Sequence, residues 1–192
     1  MLKMFKNSFD EFKDPRKVVL LGMLVSIGVT LEIINPLNLG NNLKIRFTFL
    51  VLSIAGYATG PFGAMVSAAA CDILSAYIKP TGAYFVGYTL SAALGGFIYG
   101  IVLYYRNGKI VADSIWDTVL KCIFSKVAVS LIVSVFINTL MIKFISGSDK
   151  AFSVLLTTRI IKNSITIVPE ILIMIMSISA IKQNKNIKRL FY

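Results

Sequence analysis

The sequence predicts an all-α membrane protein of six transmembrane helices with both termini in the cytoplasm. Three observations predict it. Of 192 residues, 56% are hydrophobic and 15% charged, with a mean hydropathy of +0.77, whereas a soluble domain is about 45–50% apolar and about 25% charged. The apolar residues fall into six runs separated by polar or basic segments, as in a multi-pass membrane chain. Thirteen of the 20 Lys and Arg lie in the N-terminal segment, the Arg106–Lys126 region and the C-terminal tail, against seven in the opposite connections. With an even number of spans, the positive-inside rule then puts both ends in the cytoplasm. Residues 1–17 read as a basic cytoplasmic segment, 18–182 as one six-helix membrane domain carrying a substrate site, and 183–192 as a basic cytoplasmic tail.

The first 17 residues are charged throughout and lack a small-residue cleavage signature, so they do not read as a signal peptide. The first span runs from about Val18 to Ile34, entered after Lys13, Pro15, Arg16 and Lys17. Gly22, Ser26 and Thr30 form a row four residues apart, and small residues at that spacing let another helix approach closely. Its place near the cytoplasmic end makes Gly22 and Ser26 a candidate contact for a partner protein. Glu32 reads as interfacial.

The second span, about Ile45 to Ala58, starts behind Lys44 and Arg46. Thr59-Gly60-Pro61 joins it with almost no loop to the third, Pro61 to Ile78, since Pro is tolerated just inside a helix start. Both runs are shorter than the roughly 20 residues of an ordinary span, which longer neighbours can compensate by screening them from lipid. The third carries Ala64, Ser67, Ala68, Cys71 and Ser75 as a smooth face with one ionisable group on it, Asp72. An acid there must be paired, protonated or bound to something. Arg46 is either its partner or a separate ligand contact.

A Lys79-Pro80-Thr81-Gly82 break leads into the fourth span, about Tyr84 to Tyr104, with Tyr84, Phe85 and Tyr88 at its mouth. The Lys79–Phe85 turn reads as a gate over an outward-facing pocket. The fifth span, about Val119 to Ile142, carries Lys126, Ser130, Ser134 and Asn138 at four-residue steps. Asn138, near the outer end, can both donate and accept, although serine and asparagine in spans also serve interhelical bonding. The sixth, about Leu155 to Ile181, aligns Arg159, Lys162, Asn163, Thr166 and Glu170 on one face, with Pro169 expected to kink it. Arg159 and Lys162 at the outer end suit an anionic ligand; snorkelling to headgroups is the competing reading.

The net charge of +11 is accounted for by the inner ends of membrane helices, so no nucleic-acid partner is assigned; the partner surface is the lipid bilayer. There is no G-x-x-x-x-G-K-[ST] run and no histidine, which removes P-loop hydrolysis and serine–histidine or zinc protease chemistry. Cys71 and Cys122 read as buried small hydrophobes. No catalytic residue, metal site or cofactor is assigned, and the chain is not read as an enzyme.

Arg46-Phe47-Thr48-Phe49-Leu50, Gly60-Pro61-Phe62-Gly63-Ala64, Asp72 and the block from Lys79-Pro80-Thr81-Gly82-Ala83-Tyr84-Phe85 to Ala92 resemble the substrate-binding S component of energy-coupling factor (ECF) vitamin transporters, most nearly the folate-specific members. Asn138-Thr139-Leu140, Arg159-Ile160-Ile161-Lys162-Asn163 and Pro169-Glu170 fit the same pattern. The resemblance implies a six-helix protein that captures a vitamin outside the cell and delivers it with a transmembrane coupling protein and two ATP-binding-cassette ATPases. It implies that the subunit topples in the membrane to release its cargo. It also implies that Gly22 and Ser26 stand where the family has an alanine pair contacting the coupling protein. For folate, it suggests Tyr84, Phe85 and Tyr88 against the aromatic part, Arg46, Arg159 and Lys162 for the carboxylates, and Asp72 or Asn138 for the pterin edge. An S component for another vitamin or pterin-like molecule, and a six-helix assembly protein that transports nothing, are the alternatives.

Overall fold

The computed structural model describes residues 2–34, 37–38, 44–45, 47–80, 84–104, 115–141 and 149–183. Six helices follow one another: α1 (Leu2–Phe12), α2 (Pro15–Ile34), α3 (Thr48–Ile78), α4 (Val86–Leu103), α5 (Ile115–Val129, continuing through a π-helical stretch Ser130–Ile137 to Met141) and α6 (Asp149–Gln183). Between α2 and α3, β1 (Leu37–Asn38) pairs antiparallel with β2 (Lys44–Ile45), in the register Leu37↔Ile45 and Asn38↔Lys44. Five of the helices, α2 to α6, are long and apolar enough to cross a membrane.

The 31-residue α3 would measure about 46 Å if straight, well beyond a hydrocarbon core of about 30 Å. It is not straight. Gly60 has φ 76° and ψ −166°, a left-handed setting open to glycine and costly for a residue with a Cβ. The place a side chain would occupy at Gly28 of α2 lies 3.3 Å from Val51 Cγ1 and 3.0 Å from Cys71 Sγ. Those two residues would stand about 30 Å apart on a straight helix, so residues 48–59 and 61–78 fold back on one another. The second and third runs read from the sequence are thus the arms of one hairpin. Theirs is the most buried of the five long helices, which answers the shortness of the first arm, about 18 Å long.

The bend leaves helix-end groups without partners, and the N-terminal helix supplies them. Ser8 Oγ donates to Thr59 O at 2.6 Å and accepts from Phe62 N at 3.0 Å. Lys17 Nζ donates to Ala58 O at 3.3 Å, placing a cation at the carbonyl end of the first arm. Glu11 pairs with Lys17 at 3.2 Å and accepts from the Tyr104 hydroxyl at 2.7 Å. The rings of Phe9 and Phe12 meet Phe62 edge-on, and Phe5 stacks on Phe97. A tight turn follows, in which Asp14 Oδ1 accepts from Arg16 N at 3.0 Å with Pro15 at the first position of α2, a helix start both residues favour. The segment read as basic and charged throughout thus contains a helix packed against the Gly60 end of the bundle.

The remaining contacts set the topology. Lys79 Nζ donates to Ile33 O at 3.1 Å, placing the end of α3 beside the end of α2. Ser91 of α4 bonds Asn138 of α5, and Lys182 of α6 bonds Thr118 of α5 at 2.6 Å. Six crossings result, and α1 and the Lys182 end of α6 both lie at the Gly60 end of the bundle. Phe49, Leu52, Tyr57, Tyr99, Cys122, Met174 and Ile178 belong to one apolar cluster, and Leu21, Leu24, Val51, Ala55 and Ala64 form another beside it. Outward positions stay large and apolar, among them Met23, Leu90, Phe136 and Met176, as lipid contact allows. Mid-bundle, Lys126 Nζ meets Glu170 Oε2 at 2.6 Å and sits 4.2 Å from the centre of the Phe49 ring. The two charged side chains are only 10% and 11% exposed.

Two outcomes follow from this packing. A Cβ at Gly100 would run into the backbone of Pro61 and Gly60, so Gly100→Ala is expected to lower stability by about 1–3 kcal/mol, read as a lower melting temperature in detergent. Lys126→Met strands Glu170 and is expected to cost about 3–5 kcal/mol, whereas Lys126→Met with Glu170→Met recovers most of that loss.

Candidate functional site

The described members of the expected substrate site, Asp72, Tyr84, Phe85, Tyr88, Asn138 and Lys162, lie toward the end of the bundle opposite Gly60. Asp72 lies 12 residues beyond Gly60 on the second arm of α3, about 18 Å along it. Lys162 lies 20 residues before Lys182 on α6, about 30 Å along the helix from it, and is partly buried. Tyr84 and Phe85 lead into α4 from that same end, with Tyr88 in its first turn.

Asp72 has a defined partner. Thr89 Oγ1 donates to Asp72 Oδ2 at 2.6 Å, and the Tyr84 hydroxyl lies 2.5 Å from Thr89 Oγ1. A threonine hydroxyl has one hydrogen. Since it goes to Asp72, Tyr84 is the donor in the second bond. The result is a directed chain, Tyr84 to Thr89 to Asp72, joining the entry of α4 to the hairpin. Thr89 is buried while Tyr84 is 52% exposed. Phe85 and Tyr88 pack edge to face, with centroids 6.0 Å apart, an arrangement favoured by ring quadrupoles.

Asn138 is fixed in a similar way. Ser91 Oγ donates to Asn138 Oδ1 at 2.5 Å. That bond occupies the carbonyl side of the amide and turns its NH2 group, a double donor, away from Ser91. The π-helical stretch Ser130–Ile137 precedes Asn138 directly, and such stretches are frequent at functional sites. Thr89 and Ser91 are two residues apart, about 200° around α4. Asp72 and Asn138 are therefore tied to opposite flanks of α4 and not to each other. Next to the candidates, Thr139 Oγ1 and Asn163 Nδ2 are buried without a hydrogen-bond partner among the described residues.

Arg46 lies outside the described residues, as do Thr81, Gly82 and Ala83 of the gate turn. Arg159 falls within α6, and its side chain is likewise outside the described set. Gly22 and Ser26 are exposed midway along α2 and not at its cytoplasmic end as the sequence suggested; Ser26 Oγ bonds back to Gly22 O at 2.9 Å, and nothing lies within 4 Å of a Cβ placed on Gly22. Sequence reasoning missed Thr89 as a link and Ser91 as the orienting group for Asn138. Both are hydroxyl residues inside an apolar run, and that was the available signal. It also flagged Lys126 and Glu170 separately without pairing them.

The chain matches the family model described as "ECF transporter, substrate-specific component" over residues 16–178. It is 33% identical over 123 residues to the folate transporter FolT of Clostridium novyi (strain NT), spanning 64% of this chain and 65%, just under two thirds, of that relative. It is 31% identical over 159 residues to the folate transporter FolT of Leuconostoc mesenteroides subsp. mesenteroides, spanning 79% of this chain and 78% of the relative. Among solved structures it resembles a crystal structure of FolT bound with folic acid, with a TM-score of 0.68 and 25% identity over 83% of this chain and 90% of that one. The long apolar helices, their six crossings and a family match over most of the chain agree: this chain belongs to the substrate-specific components of ECF transporters.

Proposed function

We propose that this subunit captures folate from outside the cell and passes it inward with a transmembrane coupling protein and two ATP-binding-cassette ATPases. It is a transport subunit of the membrane and not an enzyme. The observation that supports the reading is the fold, similar to a FolT bound with folic acid, with Tyr84, Phe85, Asn138 and Lys162 toward the end of the bundle away from α1 and Lys182. Folate has a flat pterin, an aromatic middle and a dianionic glutamate tail. Tyr84, Phe85 and Tyr88 supply stacking surfaces. Asn138, its NH2 turned away from Ser91, supplies donors. Lys162, with Arg159 and Arg46, meets the carboxylates.

The Gly60 end carries α1 and Lys182, and the cations Lys13 and Lys17 beside it support placing it in the cytoplasm. Midway along α2, the exposed Gly22–Ser26 row is the proposed contact for the coupling protein. The hydroxyl of Ser26 is spent on its own helix, which leaves a smooth strip on which another helix can lie close.

Calorimetry on purified protein is expected to give saturable folate binding. Lys162→Ala and Arg159→Ala are each expected to weaken it about 10- to 100-fold, the range of a charge-assisted hydrogen bond, with Arg46→Ala acting in the same direction. Pteroate, which lacks the glutamate, should bind the wild type and these variants alike. No folate binding by the wild type contradicts the substrate. Equal losses for pteroate contradict the assignment of these residues to the tail.

A further inference from the structure

We propose that Thr89 is a positioning residue for the substrate site: it hangs Tyr84 from Asp72, so that Asp72 acts through this link and not as a ligand contact. The inference deepens the folate reading and rests on it for its binding arm. Its geometry stands apart from any ligand.

Three side chains on two helices make the device. Asp72 is on the hairpin, Thr89 on the first turns of α4, and Tyr84 on the lead into α4. The two bonds, 2.6 and 2.5 Å, are short and run in one direction. Threonine can hold both at once, because its oxygen accepts one hydrogen while donating another. Valine has the same shape and can hold neither. Serine can hold both.

The position of Tyr84 gives the link its use. The ring is half exposed, so packing alone leaves it free to swing, and the bond at its hydroxyl restrains it. The far side of the same turn is also tied, by Lys79 Nζ on Ile33 O at 3.1 Å. Lys79, at the end of α3, and Tyr84, before α4, are therefore each tied, one to the end of α2 and the other through Thr89 to the face of α3. A substrate that packs on the Tyr84–Phe85–Tyr88 group meets rings already set in place, and the ordering cost of binding falls accordingly. Restraint of this kind shows mainly in dissociation, since a ring free to move away opens the exit.

Two measurements on the full-length protein test this. The first is hydrogen–deuterium exchange without ligand across residues 84–92. Thr89→Val and Tyr84→Phe are expected to speed exchange at the start of α4, and Thr89→Ser to leave it near wild type. The second is labelled-folate dissociation after dilution into excess unlabelled folate. Thr89→Val and Tyr84→Phe are each expected to raise the dissociation rate about tenfold, the scale of one net hydrogen bond. The double variant should be no worse than either single one, because both cut the same chain. Asp72→Asn keeps an acceptor and should lose less than Asp72→Ala. Unchanged exchange in Thr89→Val and Tyr84→Phe overturns the link whatever the ligand, as does a double variant whose effects add. Tyr84→Phe, a change at a half-exposed ring, decides the matter if Thr89→Val does not fold. Wild-type protein that binds no folate overturns the substrate reading, while exchange still judges the link.

Discussion

The architecture depends on one backbone constraint, the reversal of α3 at Gly60. A chain this apolar has little hydrophobic incentive to bring helices together inside lipid, where tails are as apolar as leucine side chains. Close packing and satisfied polar groups must do it instead. The positive φ at Gly60 turns one long helix into two short arms. The contacts of Gly28 with Val51 and Cys71 show the arms side by side, and Gly100 lets α4 touch the bend itself. Screening by α2 and α4 is what allows a first arm of only 12 residues in the membrane. The reversal also sets the polarity of the whole bundle, because every later helix is placed by the end from which the hairpin returns.

The bend creates a need that another part of the chain fills. Exposed helix-end carbonyls inside a membrane protein are costly. Ser8 and Lys17 reach Thr59 O and Ala58 O, and Tyr104 and Glu11 close the same cluster. The Gly60 end is thereby polar and heavily bonded, and the middle is held by the Lys126–Glu170 pair. The opposite end is different. There Thr89 and Ser91 each orient one neighbour, and the aromatic side chains of Tyr84 and Phe85 remain exposed. A bundle closed at one end and furnished at the other suits capture of a small molecule from one side.

Much of this was legible in the sequence. Apolar run lengths gave the spans, and Thr59-Gly60-Pro61 marked the junction of the second and third. Asp72 and Asn138 stood out as polar groups inside apolar runs and lie toward the end of the bundle away from Gly60, as does Lys162. What was hidden required knowing which helices touch. Lys126 and Glu170 each look anomalous alone, and only the adjacency of α5 and α6 turns them into a pair. Asp72 stood out as an acid in need of a partner, and Thr89, which bonds it, looks like an ordinary helix residue until α4 is laid against the hairpin. The N-terminal helix was obscured by its charges. Its phenylalanines recur at positions 5, 9 and 12, a helical spacing, yet Lys and Asp between them gave the stretch the appearance of a solvated leader.

Under the proposed function, folate is taken up at the end of the bundle away from α1 and Lys182, facing outward. Binding of impermeant labelled folate to membrane vesicles of known sidedness, containing this chain without its partners, tests it most directly. Right-side-out vesicles should bind folate saturably and sealed inside-out vesicles should not. Binding confined to inside-out vesicles, or absent from both, would contradict it.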